Sequence, residues 1–249
     1  MEDGLAMIIA RIKFSKGEEV KYISHLDLQR AFQRALRRAE IDIAYSKGFN
    51  PHPKVSFATA LSVGMTSDGE YVDVELNNWQ NGKELTKKLN GVLAKGIKIL
   101  DCVVSDERQP SLMSTIKMGL YQISIHTKDK KYTLGINSRI KEFLSQDKII
   151  EERINKRGKK TKRDIKPLIK SIILLNIEDN IISLEMQLAT GSQNNVKPEI
   201  VIKKLVNNEE TPIIYDFLKI HRVELFTEMN GKYISPIDLF SEKPGRENM

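Results

Sequence analysis

One cysteine, one tryptophan and an aromatic content of 6% are what this 249-residue chain has least of. The lone Cys102 excludes an internal disulfide, a zinc site built from several thiolates and an iron–sulfur cluster ligated by the chain's own cysteines. No run approaches the roughly 18 apolar residues of a membrane helix. The opening MEDGLAMIIARIKF lacks the basic flank, sustained apolar core and cleavage site of a secretory signal. A cytoplasmic protein without membrane association is therefore expected. Four histidines stand at no diagnostic ligand spacing, so neither a metal nor a cofactor is expected. What is present is 40% hydrophobic and 29% charged residues with no low-complexity tract, the composition of a folded chain.

The formal net charge of +7 is unevenly spread. Residues 1–110 hold 16 Lys/Arg against 15 Asp/Glu, and residues 111–249 hold 24 against 18. A basic excess in one half points to an anionic partner, of which nucleic acid is the commonest, and equally to a lysine-rich solubilising surface.

Both halves repeat one pattern of elements. In the first, AMIIARIKF reads as a strand, SHLDLQRAFQRALRRAE as a helix, KVSFATALSV and EYVDVEL as strands separated by GMTSDG, GKELTKKLNGVLAKG as a helix and IKILDCVVS as a strand. After the polar SDERQPSLMST, read as a linker, GLYQISIHT is a strand and NSRIKEFLSQ a helix. KIIEERI follows as a strand, SIILLNIEDNIISLEMQLA as two strands turning at 178–180, KPEIVIKKLV as a proline-opened helix and HRVELFTE as a last strand. The order β-α-β-β-α-β predicts an α+β chain of two tandem ferredoxin-like domains, 1–108 and 116–240, the second carrying a basic hairpin insertion at 153–170.

Three segments concentrate groups suited to binding. In the helix that starts at Ser24, with Asp27 three residues on as a cap, Leu28, Phe32, Ala35, Leu36 and Ala39 form an apolar stripe. At about 100° per residue, Arg30, Arg34, Arg37 and Arg38 fall on the opposite face. Guanidinium forks match phosphate oxygens, so this ladder suits a nucleic-acid backbone; it also suits a solvated face paired to acids elsewhere. His25 stands in the first turn, where backbone N–H groups favour an anion.

The second segment, AYSKGFNPHPKVSF (44–57), holds His52 between Pro51 and Pro53. Each proline biases its predecessor, Asn50 or His52, toward extended backbone, and Gly48 supplies a turn. The imidazole is thus pre-positioned among Tyr45, Lys47, Asn50 and Lys54, either to meet a phosphate or exchange a proton, or simply as part of a rigid connection. Third, Lys156, Arg157, Lys159, Lys160, Lys162 and Arg163 crowd around Gly158. Such like charges repel in a bare fold and are relieved by a polyanion, unless they decorate a merely soluble loop.

The stretch KYISHLDLQRAFQRALRRAEIDIAYSKGFNPHPKVSFATALSVGMTSDGEYVDVEL, 21–76, resembles a radical-SAM-linked bacterial family of unknown function, above all in SHLDL, RALRRA and YSKGFNPHPK. RDIKPLI at 163–169 and the Gly191 segment resemble it more loosely. Where that pattern leads us to expect a glycine after RRA and an arginine in DIRP, this chain has Glu40 and Lys166. The resemblance implies a gene beside, or fused to, that of a radical SAM enzyme, often near ribonuclease and ribosomal-protein genes. It supplies no activity of its own. The leading expectation is an RNA-binding accessory protein, not itself catalytic, that presents ribosomal or transfer RNA to a radical SAM partner. A metal-independent RNA endonuclease or RNA-modifying enzyme using His25 or His52 is the second reading, and a pure protein–protein adaptor the third.

Overall fold

A computed structural model describes residues 7–107, 110–154, 158, 160–206, 213–214 and 217–241. The chain is a mixed α+β protein with mostly antiparallel strand pairing. It divides into two compact units: the residues through Lys117 together with those from Glu224 on, and Met118–Val223 between them. The C-terminal stretch, read above with the second half, therefore groups with the first.

In the first unit, β1 (Ile8–Lys16) lies between β4 (Ile97–Ser105) and β3 (Thr66–Leu76), and the short β2 (Val55–Phe57) pairs with β3. Alternation sends Ala10, Ile12 and Phe14 of β1 to one face. There they meet Leu28, Phe32, Ala35 and Leu36 of α1 (His25–Arg38) and Leu85 and Leu89 of α2 (Gly82–Asn90). The rings of Phe14 and Phe32 lie 4.7 Å apart, with Phe57 edge-on to both.

Two local expectations change. KVSFATALSV is a strand only over Val55–Phe57, because past Ala58 the backbone leaves β3 and turns, burying Leu61 and Met65 without a partner strand. Part of the polar GMTSDG, read as a separator, is instead the start of β3, where Ser67 is buried opposite Lys16 beside a register shift in β1. The expected linker also contains structure: Leu112–Thr115 form one helical turn, α3, with Leu112 buried.

Helix α1 exits through paired bonds, Ile41 N–H to the Leu36 carbonyl and Glu40 N–H to that of Arg37. This is the Schellman arrangement, and it places Glu40 in the left-handed region at φ 53°. The glycine expected here has a steric reason, since a Cβ is disfavoured at such a φ. Replacing Glu40 by Gly is expected to raise the stability of this unit by about 1 kcal/mol, read as a higher urea midpoint with unchanged slope.

The opposite face of β1 is polar and covered. Arg11 is fully buried and donates twice to Asp73, its direct cross-strand partner on β3, at 2.9 Å each. It donates again to the Pro236 carbonyl at 3.2 Å and lies 4.1 Å from the centre of the Phe240 ring. Both residues belong to α6 (Pro236–Ser241). Beside this pair, Lys13 bonds Glu224 at 2.5 Å, and the Tyr71 hydroxyl donates to the same carboxylate at 2.7 Å. Glu224 lies in β10 (Lys219–Met229), whose far end pairs with β11 (Lys232–Ile234).

In the second unit β5 (Ile116–His126) pairs with β9 (Ile181–Ala189), and β9 with β8 (Ile169–Glu178). The tight turn between β8 and β9 falls at Asp179, with positive φ, and Asn180. Helices α4 (Ile136–Ser145) and α5 (Pro198–Leu205) bring Ile140, Phe143, Val201 and Ile202 into the interior. Pro198 stands at the first helical positions of α5, where its missing N–H costs nothing. A separate antiparallel pair, β6 (Ile150–Ile154) and β7 (Lys160–Asp164), overlaps part of the segment 153–170, whose end from Ile169 on belongs to β8.

Candidate nucleic-acid interface

Residues 44–54 fold into a small hairpin of their own. Ser46 N–H donates to the His52 carbonyl at 2.8 Å, Lys54 N–H to that of Ala44 at 2.9 Å, and His52 N–H to the Ser46 hydroxyl at 2.9 Å. Tyr45 and Pro53 stand opposite one another. The proline N–H that is missing at each site is one this ladder does not use. The hairpin is anchored in turn, because Ala44 N–H donates to the Glu75 carbonyl and Glu75 N–H to that of Lys54. Gly48, at φ 133°, turns the tip. Lys47, Asn50 and His52 are exposed, and among the described residues their side chains make no hydrogen bond or ion pair. Lys54 is different: its ammonium bonds Glu75 at 2.7 Å, which removes much of its pull on a phosphate.

The arginines of α1 are exposed as a row. Arg30 reaches Asp27 at 3.4 Å, Arg37 the Gln33 carbonyl at 3.4 Å, and Arg38 the Val92 carbonyl at 2.7 Å. Only one of the four therefore meets a carboxylate, and Arg34 has no polar partner among the described residues. The Ser24 hydroxyl accepts from Asp27 N–H and donates to its carboxylate, holding the carboxyl below its usual value. Ser24 is thus the N-cap of α1, and Asp27 is its partner three residues on. No hydrogen bond or ion pair among the described residues joins these arginines to the 44–54 hairpin.

His25, at the start of α1, is half-buried. Its ring stands edge-on to Phe57 at 5.3 Å and shares a hydrogen bond with Gln29 at 3.2 Å. Burial lowers its pKa, with Lys16 acting in the same direction and Glu70 against it. The imidazole is accordingly neutral at neutral pH and brings no positive charge to a phosphate. Its folded-state value lies below the unfolded value of about 6.5, so on acidification the unfolded chain takes up the proton first. Stability present above about pH 6.5 is then lost as the pH falls toward the lower folded-state value. His25→Gln is expected to flatten that part of the pH–stability profile, measured as urea midpoints at about pH 7.5 and 5.5.

In the second unit the basic hairpin is partly self-neutralised. Arg163 and Arg153 both bond Glu151, at 2.8 and 2.7 Å, and Lys162 pairs with Glu152 at 3.3 Å. Burial pushes the Glu151 carboxyl up, but these two arginines hold it below its usual value. Arg163 also donates to the Asn195 carbonyl. Lys160 is exposed with no polar partner among the described residues. Lys156, Arg157 and Lys159 lie outside the described residues. Lys166, standing where an arginine was expected, donates its ammonium to the Leu144 carbonyl. That use of its charge is internal.

Sequence reasoning missed Glu75, which bonds Lys54, and Glu151, which bonds Arg153 on its own strand and Arg163 opposite it on β7. It also missed Phe49, at the tip of the 44–54 hairpin, whose ring is completely exposed. The remaining signals are legible as polar clusters between prolines or around a glycine.

The family model described as an uncharacterised protein conserved in bacteria, DUF2344, matches residues 10–198. A search among curated proteins finds no match. Of the solved structures, a Cbf5–Nop10–Gar1 complex is similar at 12% identity and a TM-score of 0.48, over 95% of this chain and 54% of that one. An H/ACA RNP bound to a substrate RNA containing 2′-deoxyuridine is similar at 10% and 0.45, over 86% and 46%. An archaeal box H/ACA sRNP Nop10–Cbf5 complex is similar at 11% and 0.41, over 88% and 47%. The chain spans about half the length of the chains it matches in these structures.

Proposed function

We propose that this chain, which belongs to the bacterial family DUF2344 of uncharacterised proteins, is an RNA-binding accessory protein that presents ribosomal or transfer RNA to a radical SAM modifying enzyme. One observation carries the reading: a hairpin braced by its own backbone displays Lys47, Asn50 and His52 with their side chains unengaged. Ordered, exposed polar groups that serve no internal contact are what a binding loop on a rigid scaffold provides. Arg34 in α1 and Lys160 at the basic hairpin extend the set of unengaged cations.

The radical SAM partner rests on the family resemblance of residues 21–76 alone. Because the chain has one cysteine and that cysteine is buried, cluster chemistry in such a complex would belong to the partner. The strand order β4-β1-β3-β2 in the first unit supports a ferredoxin-like reading of it, and β5-β9-β8 in the second is consistent with part of such a sheet.

A second reading has an observation of its own. A neutral, half-buried His25 suits a general base, which keeps a metal-independent endonuclease in view. Incubating the purified protein with total RNA separates the two. Intact RNA that is nonetheless retained supports presentation, and cleavage lost in His25→Ala or His52→Ala supports the enzyme. The accessory reading fails if no RNA copurifies and binding to labelled RNA is absent at low salt.

A further inference from the structure

Phe49 is 112% exposed relative to its reference state, the highest exposure among the large hydrophobic residues described. A phenyl ring in water is unfavourable compared with burial, and nothing among the described residues covers it. Single exposed apolar residues on surfaces are ordinary. This one differs in its mounting. It stands one residue after the positive-φ Gly48, at the end of a hairpin closed by three hydrogen bonds between residues 44–46 and 52–54. The ring is therefore carried on a hydrogen-bonded stem, and a second flat ring, His52, is exposed on the same hairpin.

The chemistry around it selects the occupant. Lys47, two positions before, is an unengaged cation; Asn50, one after, offers an amide donor and acceptor; Lys54 is matched by Glu75. An apolar pocket on a protein would be met better by several aliphatic groups than by one ring hemmed in by lysine, asparagine and histidine. A nucleobase has a π-face for the ring, edges for the amide and a phosphate within reach for the ammonium. In a duplex those faces are stacked away, so the base must be unpaired.

We infer that Phe49 is a base-stacking residue: the 44–54 hairpin takes an unpaired RNA nucleotide, with the base on the phenyl face and its phosphate toward Lys47. This deepens the RNA-binding reading and rests on it. The test measures binding of a fluorescein-labelled single-stranded oligo(A), about a dozen nucleotides long, and of a blunt RNA duplex of equal length, by anisotropy at low salt.

Wild-type protein is expected to prefer the single strand. Phe49→Ala is expected to weaken single-strand binding about 5- to 150-fold while leaving duplex binding and the thermal midpoint unchanged, and Phe49→Trp to restore it. Equal binding of both RNAs by wild type and Phe49→Ala overturns the stacking assignment and leaves the RNA reading standing. No binding of either RNA by wild type overturns the RNA reading itself. Unchanged RNA binding, with loss of a copurifying protein in Phe49→Ala, also overturns the assignment and makes the tip a protein contact.

Discussion

Asp73→Ala lowers the stability of the first unit by about 3–5 kcal/mol, the largest single-residue effect expected in the molecule. The substitution leaves the Arg11 guanidinium wholly buried, with only the Pro236 carbonyl and the Phe240 ring as partners among the described residues. The Arg11 side chain is 0% exposed and that of Asp73 12%, and this burial raises the pKa of Asp73 despite the guanidinium beside it. The matching double variant, Arg11→Met with Asp73→Leu, is expected to recover most of the loss, because removing both charges together strands neither. Trp79, the only tryptophan, lies in this unit, so the denaturation transition seen by its fluorescence is the one that should move. A loss under 1 kcal/mol for Asp73→Ala would mean that water solvates the site.

RNA affinity is expected to fall roughly 300-fold between 50 and 200 mM salt if six phosphates on a single strand are met, from a log–log slope of about −4. The hairpin 150–164 carries seven Lys/Arg against three Asp/Glu, and they are not equivalent. Lys160 is unengaged, whereas Lys162 and Arg163 are matched by Glu152 and Glu151. Lys160→Ala should therefore make the slope shallower by about 0.7, the counterion share of one contact. Glu151→Gln should strengthen binding at low salt by freeing Arg153 and Arg163. Titrations at four or five salt concentrations measure both slopes. Indistinguishable slopes for wild type and Lys160→Ala place this hairpin outside the interface.

Much of the secondary structure was legible because it is local. Ser24 with Asp27, the stripe from Leu28 to Leu36, Pro198 at a helix start and the turn at 178–180 all follow from spacing and backbone preference. What escaped depends on register. Nothing near Lys54 in sequence announces that Glu75, on another strand, lies within 2.7 Å, and nothing near Arg11 announces Asp73 or Phe240. The stiffness of the His52 loop was expected from its prolines, and cross-strand hydrogen bonds brace it as well. Phe49 was passed over because an isolated phenylalanine in a sequence reads as core; only coordinates reveal a ring facing outward.

Because the first unit joins the residues through Lys117 to those from Glu224 on, it is completed only after Met118–Val223 has been synthesised. A ribosome releases β1, β3 and β4 well before Pro236 and Phe240, so the last cover over Arg11 and Asp73 is added late. Nascent chains arrested ahead of residue 236 are expected to leave that ion pair more open to water than the finished protein does.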